Sequence, residues 1–134
     1  KVLDFNGETG PYVQYTHARA ASVLRNAGEE AASASCDAAN LRPEHITSES
    51  AYKLAKLIYD MPRVIADAGE KYEPSVLTRH IVDMAQAFNR FYHDEHILVD
   101  DMEERVSKLI LVRAAKQAIK NGLSLLGMEA PERM

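Results

Sequence analysis

The sequence predicts an all-α fold, an antiparallel bundle of about five helices in one domain. Three observations predict it. Apolar residues recur at 4-3-4-3 spacing from Leu77 through Ile81, Met84 and Phe88 to Phe91, the period of one helix face. The same period runs from Met102 to Leu126 over about seven turns. No stretch sustains the strict alternation that a half-buried strand requires.

Residues 1–11 carry two turn signals, Asn6-Gly7 and Thr9-Gly10, and are expected to form a lead-in loop. Gly10-Pro11 sets the start of helix one, because proline's fixed φ and missing N–H cost nothing in a first turn. That helix is expected from about Tyr12 to Ala27, with Gly28 as its C′ residue. Val13, His17, Ala20, Leu24 and Ala27 form its core stripe. Glu29 to Leu41 is rich in alanine and serine without a stripe and reads as a variable connection closed by Asn40 and Pro43. Thr47 offers the N-cap of helix two, with Glu49 in its first turn and Ala51, Leu54, Ile58 and Met61 facing the core.

Pro62 is expected to break that helix and open a short third one carrying Val64, Ile65 and Ala68 and ending near Gly69. Pro74 starts the fourth, which extends to about His93. Leu98 to Asp101 links it to the fifth, capped by Asp100 or Asp101. Met102, Val106, Leu109, Val112, Ala115, Ile119, Leu123 and Leu126 line the buried face of helix five. Gly127 ends it, and residues 128–134 form a tail.

A chain of 134 residues suffices for a real core, and 46% apolar and 27% charged residues are ordinary for a globular protein. A net charge of −4 argues against bulk electrostatic binding to duplex nucleic acid. It leaves room for a local basic face that holds a single-stranded loop. Cys36 is alone, so no internal disulfide can form and a cytoplasmic setting is expected. No run approaches the ~20 apolar residues of a membrane span, and no membrane partner is expected. The start, Lys1-Val2-Leu3-Asp4, is neither an initiator methionine nor a signal peptide, so the chain is expected to be a piece of something longer.

Tyr12, Tyr15 and Arg19 fall on one side of helix one. Two rings and a guanidinium aligned this way suit an unstacked base, since rings stack and arginine both stacks and donates. They equally suit half-buried packing with wet hydroxyls. His93-x-x-His96 has metal-ligand types at i,i+3 spacing, but a structural zinc site needs four ligands and no metal is expected. Tyr92 and His96 form an i,i+4 pair able to share a pocket. Asp100, Asp101, Glu103 and Glu104 read as capping and solvation at a helix start. Arg113, Lys116 and Lys120 recur on what the spacing makes the outer face of helix five, as a solvated face or a phosphate track. No phosphate-cradling loop, dinucleotide fingerprint or nucleophile elbow is present, so no catalytic residue and no cofactor site are expected in the chain.

Two separated segments carry a family resemblance. Gly10-Pro11-Tyr12-Val13-Gln14-Tyr15-Thr16-His17-Ala18-Arg19 resembles the opening of the anticodon-binding domain of arginyl-tRNA synthetases. Lys120-Asn121-Gly122-Leu123-Ser124-Leu125-Leu126-Gly127, running into Glu129-Ala130-Pro131-Glu132-Arg133-Met134, resembles the ending of that family. The domain is similar to the helical type named for an Asp-Ala-Leu-Arg motif, although Arg113-Ala114-Ala115-Lys116 stands in the corresponding stretch. The resemblance implies a module that binds the anticodon loop of tRNA(Arg) and cooperates with a Rossmann-type, ATP-dependent catalytic domain absent from this chain. It implies an RNA surface from Tyr12, Tyr15 and Arg19, joined by Tyr92 and Met134, with His96 at a position where some relatives carry a larger aromatic residue. A monomer is expected. The competing readings are the equivalent domain of a related synthetase, such as the cysteinyl type, and a helical adaptor that uses its tyrosines as a protein-binding anchor.

Overall fold

The computed structural model describes residues 9–134, and all its regular elements are helical. They are α1 (Gly10–Arg25), α2 (Glu29–Ala34), short 3-10 turns at Ala38–Asn40 and Pro43–His45, α3 (Glu49–Lys71), α4 (Pro74–Asp94) and α5 (Met102–Leu125). The expected lead-in loop lies outside the described residues up to residue 8, and the helix already begins at Gly10. Among the described residues no helix is long and apolar enough to cross a membrane.

The long helices follow their apolar stripes. Leu77, Ile81, Met84, Phe88 and Phe91 of α4 are buried, as are Val106, Leu109, Val112, Ala115, Ile119 and Leu123 of α5. α3 and α4 fold back on each other across the link Tyr72–Glu73, and α5 packs against α1, α3 and α4. The fifth helix is capped by Asp101, whose carboxylate accepts from the Glu104 N–H at 2.9 Å. At its other end Gly127 adopts φ 77°, and the Met128 N–H donates to the Leu123 carbonyl at 2.8 Å. This is the left-handed close that glycine permits, and it turns the tail back along the bundle.

Three expectations are corrected. Pro62 does not break its helix: α3 runs unbroken from Glu49 to Lys71, so the two helices expected there are one. Pro62 itself is exposed, while Leu54, Met61, Val64 and Ala68 on both sides of it are buried in one stripe. An interior proline costs about 3 kcal/mol, whereas burying each larger side chain contributes roughly 1.5–3 kcal/mol. Packing therefore carries the helix through. His80 of α4 adds a ring nitrogen 2.8 Å from the Leu57 carbonyl, within the turn before the proline.

The N-cap of α3 is Ser48 rather than Thr47, its hydroxyl accepting from the Ala51 N–H at 3.1 Å. Gly28 does not close α1, which ends at Arg25 with Asn26 as its cap. With φ 91° it instead precedes α2, a short helix within the stretch read as a variable connection.

Candidate functional site

A cleft of about 650 Å³ opens between α1, the loop joining α4 to α5, and the C-terminal tail. Tyr15 and Arg19 of α1, Tyr92 of α4, His96 of the loop and Met134 of the tail all line it. Tyr12 lies outside that lining, one turn before Tyr15 on the same helix. The tyrosines are not core residues: Tyr12, Tyr15 and Tyr92 are 38%, 56% and 41% exposed.

Arg19 is held from two directions. Its guanidinium lies 4.6 Å from the centroid of the Tyr92 ring, and Nη1 donates to Asn89 Oδ1 at 2.9 Å. Tyr92 in turn stacks on the fully buried Phe88, with centroids 6.4 Å apart and planes inclined by 22°. A ring anchored in the core thus backs a guanidinium that lines the cleft and spends one N–H on Asn89. Asn89 also reaches Tyr12 Oη at 3.0 Å and Thr16 Oγ1 at 2.9 Å through Nδ2.

The loop wall is fixed by Lys108, a buried lysine of α5. Its ammonium meets Glu104 at 2.7 Å, Glu95 at 3.2 Å and the His96 carbonyl at 3.0 Å. Burial alone would lower its pKa, but the hydrogen bonds it donates to Glu104 and Glu95 outweigh that and hold it above the ordinary lysine value. Glu95, a carboxylate of the lining, shares the Lys108 ammonium with Glu104, whereas Arg25 and Arg133 join Arg19 around the cleft. A locally basic hollow results in a chain whose net charge is −4.

The tail forms the remaining wall because three side chains of α1 grip its backbone and one of α5 holds its Glu132 carboxylate. Gln14 donates to the Glu129 carbonyl at 2.9 Å, and Arg25 donates to that of Glu132 at 3.0 Å. His17, fully buried on the core stripe of α1, donates from Nδ1 to the Pro131 carbonyl at 2.7 Å. Its pKa is lowered, first by burial, against which the Pro131 hydrogen bond works, and further by the nearby Lys116 charge. Lys116 of α5 pairs with the Glu132 carboxylate at 3.0 Å and holds it below the usual carboxylate range.

Arg113, Lys116 and Lys120 do not share one solvated outer face. Arg113 is half-buried and donates to Ser35 Oγ and the Ala32 carbonyl, clamping α2 onto α5. Lys116 is turned to the tail, and Lys120 is the exposed member of the three. His93 and His96 do not share a helix face, because α4 ends at Asp94 and His96 belongs to the loop. Among the described residues, ligand-type side chains approach one another at Glu44, His45 and Glu103, a surface group in which Glu103 also lies 3.7 Å from Arg42.

Sequence reasoning missed Asn89, Lys108, Arg25 and Arg133. Asn89 and Arg25 lie near the recognised residues along their helices, at i−3 from Tyr92 and i+6 from Arg19. Lys108 interrupts an apolar face in a way that signals a paired buried charge. Arg133 lies in the irregular tail, two residues after Pro131, and has no periodic signal.

A family model for the DALR anticodon binding domain matches residues 13–134. The arginine–tRNA ligase of Alkaliphilus metalliredigens is 55% identical over 132 residues, covering 98% of this chain and 22% of that protein. That of Halothermothrix orenii is 47% identical over the whole chain and 23% of its own length. Among solved structures, Thermus thermophilus arginyl-tRNA synthetase superposes with a TM-score of 0.80 at 34% identity, over 98% of this chain and 22% of that one. The chain therefore spans under a quarter of the length of these relatives. With the helical architecture and two whole-length relatives in agreement, the chain belongs to the DALR anticodon binding domain family, in the form its arginine–tRNA ligase relatives carry.

Proposed function

We propose that the chain is the tRNA-binding module of an arginine–tRNA ligase and holds the anticodon loop of tRNA(Arg) in the cleft between α1, the α4–α5 loop and the tail. The observation that carries this reading is the stacking of Arg19 on a Tyr92 ring anchored in the core, at the edge of a basic hollow that Tyr15 also lines. Rings supply sequence-tolerant stacking to an unstacked base. Every arginine codon has G in the middle, so the middle anticodon base is cytosine. Cytosine offers acceptors at O2 and N3, whereas uracil carries a donor at N3. A guanidinium has donors only, so Arg19 accepts cytosine there and meets uracil donor to donor. Stacking sets affinity and Arg19 sets the cytosine preference.

The module does no chemistry of its own. It positions tRNA for a catalytic domain of the same protein, outside this chain, which uses ATP; the whole acts as a cytoplasmic monomer. The names of the relatives favour arginine over a cysteinyl-type enzyme. Among the cations first read as a phosphate track, Lys120 is the one whose exposure suits that role. The test is titration of the chain with a tRNA(Arg) anticodon stem-loop at two salt concentrations. Saturable, salt-sensitive binding that weakens when the middle cytosine becomes uracil is expected. Equal binding of an unrelated stem-loop would overturn the reading.

A further inference from the structure

Asn89 touches three other side chains, and their chemistry determines how every proton in the group is shared. Arg19 has donors only, so the Asn89 atom facing it at 2.9 Å is the carbonyl oxygen. The amide NH2 must then face Tyr12 and Thr16, at 3.0 and 2.9 Å. Thr16 uses its own hydroxyl proton on the Tyr12 backbone carbonyl at 3.0 Å and is therefore an acceptor towards Asn89. Tyr12 Oη, receiving an N–H, is an acceptor as well, and its phenolic proton points away from the cluster. Tyr12 is 38% exposed as a residue and lies beside the cleft rather than within its lining.

We infer that Asn89 is a positioning residue that fixes the Tyr12 hydroxyl as an outward hydrogen-bond donor to a backbone phosphate of the bound RNA loop. The inference rests on the proposed anticodon-loop function and adds a polarity to it. The same amide steadies Arg19 from its edge while Tyr92 supports it from its face, so one side chain sets both the base-directed guanidinium and the phosphate-directed phenol. A tyrosine at the rim that offers its proton outward suits the anionic backbone of RNA.

The test is a double-mutant cycle on the whole chain, read as affinity for the tRNA(Arg) stem-loop, with circular dichroism to verify that each variant is folded. Tyr12→Phe in the otherwise unchanged chain is expected to weaken binding by about tenfold, the loss of one hydrogen bond to a charged acceptor. The loss should be the same for stem-loops with C or U in the middle, because a phosphate is read without regard to sequence. In the Asn89→Asp background the carboxylate takes the phenolic proton, so removing the hydroxyl should then cost nothing further. Repulsion between the new carboxylate and RNA weakens both members of that pair alike and cancels in the comparison. A Tyr12→Phe loss of equal size in both backgrounds, or none in the unchanged chain, overturns the inference while the unchanged chain still binds. Absence of binding by the unchanged chain overturns the proposed function, and this inference with it.

Discussion

The Lys108 ammonium lies 3.0 Å from the His96 carbonyl, so the loop that walls the cleft hangs from a buried charge on α5. The same nitrogen joins Glu95 at the start of that loop to Glu104 one turn back on the helix. Lys108 is a positioning residue: it reaches the loop backbone rather than the cleft.

Removing its charge should therefore cost stability and RNA affinity together. Lys108→Met leaves two partly buried carboxylates facing each other and is expected to destabilise the chain by about 3 kcal/mol. Lys108→Arg, which keeps the charge, should lose much less. Urea unfolding gives the first quantity and stem-loop titration the second. A Lys108→Met chain as stable as the original would show that the loop is held by other contacts.

Two glycines should respond to alanine with opposite sign. A Cβ on Gly122 would come within 2.4 Å of Ile81 Cγ2 and 3.1 Å of Met61 Cε, where α5 crosses α3 and α4. Overpacking costs about 1–3 kcal/mol, more than the roughly 1 kcal/mol that alanine gains in helix propensity. At Gly69 a Cβ would meet nothing within 4 Å, so Gly69→Ala should stabilise by about 0.5–1 kcal/mol. Thermal midpoints of the two variants, moving down and up respectively, check this.

The buried His17 gives the fold an acid-sensitive contact with the tail. Its folded pKa is lowered, so the unfolded chain takes up a proton first as the pH falls below the ordinary value of 6.5. The stability that the neutral ring contributes is fully present above that value and is lost as the pH falls towards the folded pKa. Midpoints measured from pH 7.5 to 5 should decline more steeply for the original chain than for His17→Gln. Glu132 adds its own loss only below its ordinary 4.5, because its lowered pKa keeps it charged at higher pH. Parallel pH curves for the two chains would remove His17 as the cause.

Affinity and base preference should separate by residue. Tyr15→Ala is expected to lose roughly 1–3 kcal/mol of binding while keeping the C-over-U ratio. Arg19→Ala should lose most of that ratio. Removal of residues 133–134, which takes Arg133 and Met134 from the cleft lining, should weaken binding with the bundle intact. A ratio that survives in Arg19→Ala and disappears in Tyr15→Ala would invert the assignment.

Much of the bundle was legible because its helices advertise themselves locally. The stripes of α4 and α5 need only a window of residues, and Asp101 and Gly127 punctuate α5 with chemistry that acts within one turn. Pro62 misled for a physical reason: its cost is local, whereas the burial that overrides it comes from α4 and α5. Lys116 and Arg113 misled in the same way. Spacing put them on one outer face, but Glu132 and Ser35, which occupy them, lie 16 and 78 residues away in sequence. Convergence of Tyr92 and His96 on the residues of α1 depends on how two helices cross, and Asn89, which joins Arg19 to Tyr12, is invisible until they do.

The hydrogen bonds that hold the tail to α1 close loops of 107 to 115 residues. Contacts of such sequence separation are among the slowest to form, because their entropy must be met before they reward it. The packing of α1 on α5 closes a loop of similar length and meets that cost first, so the tail, which extends from α5, completes the last wall of the cleft once those two helices have met. Under the proposed function, RNA held there would select molecules whose tail is docked, and its binding energy would be spent on the contacts that are otherwise the first to fray.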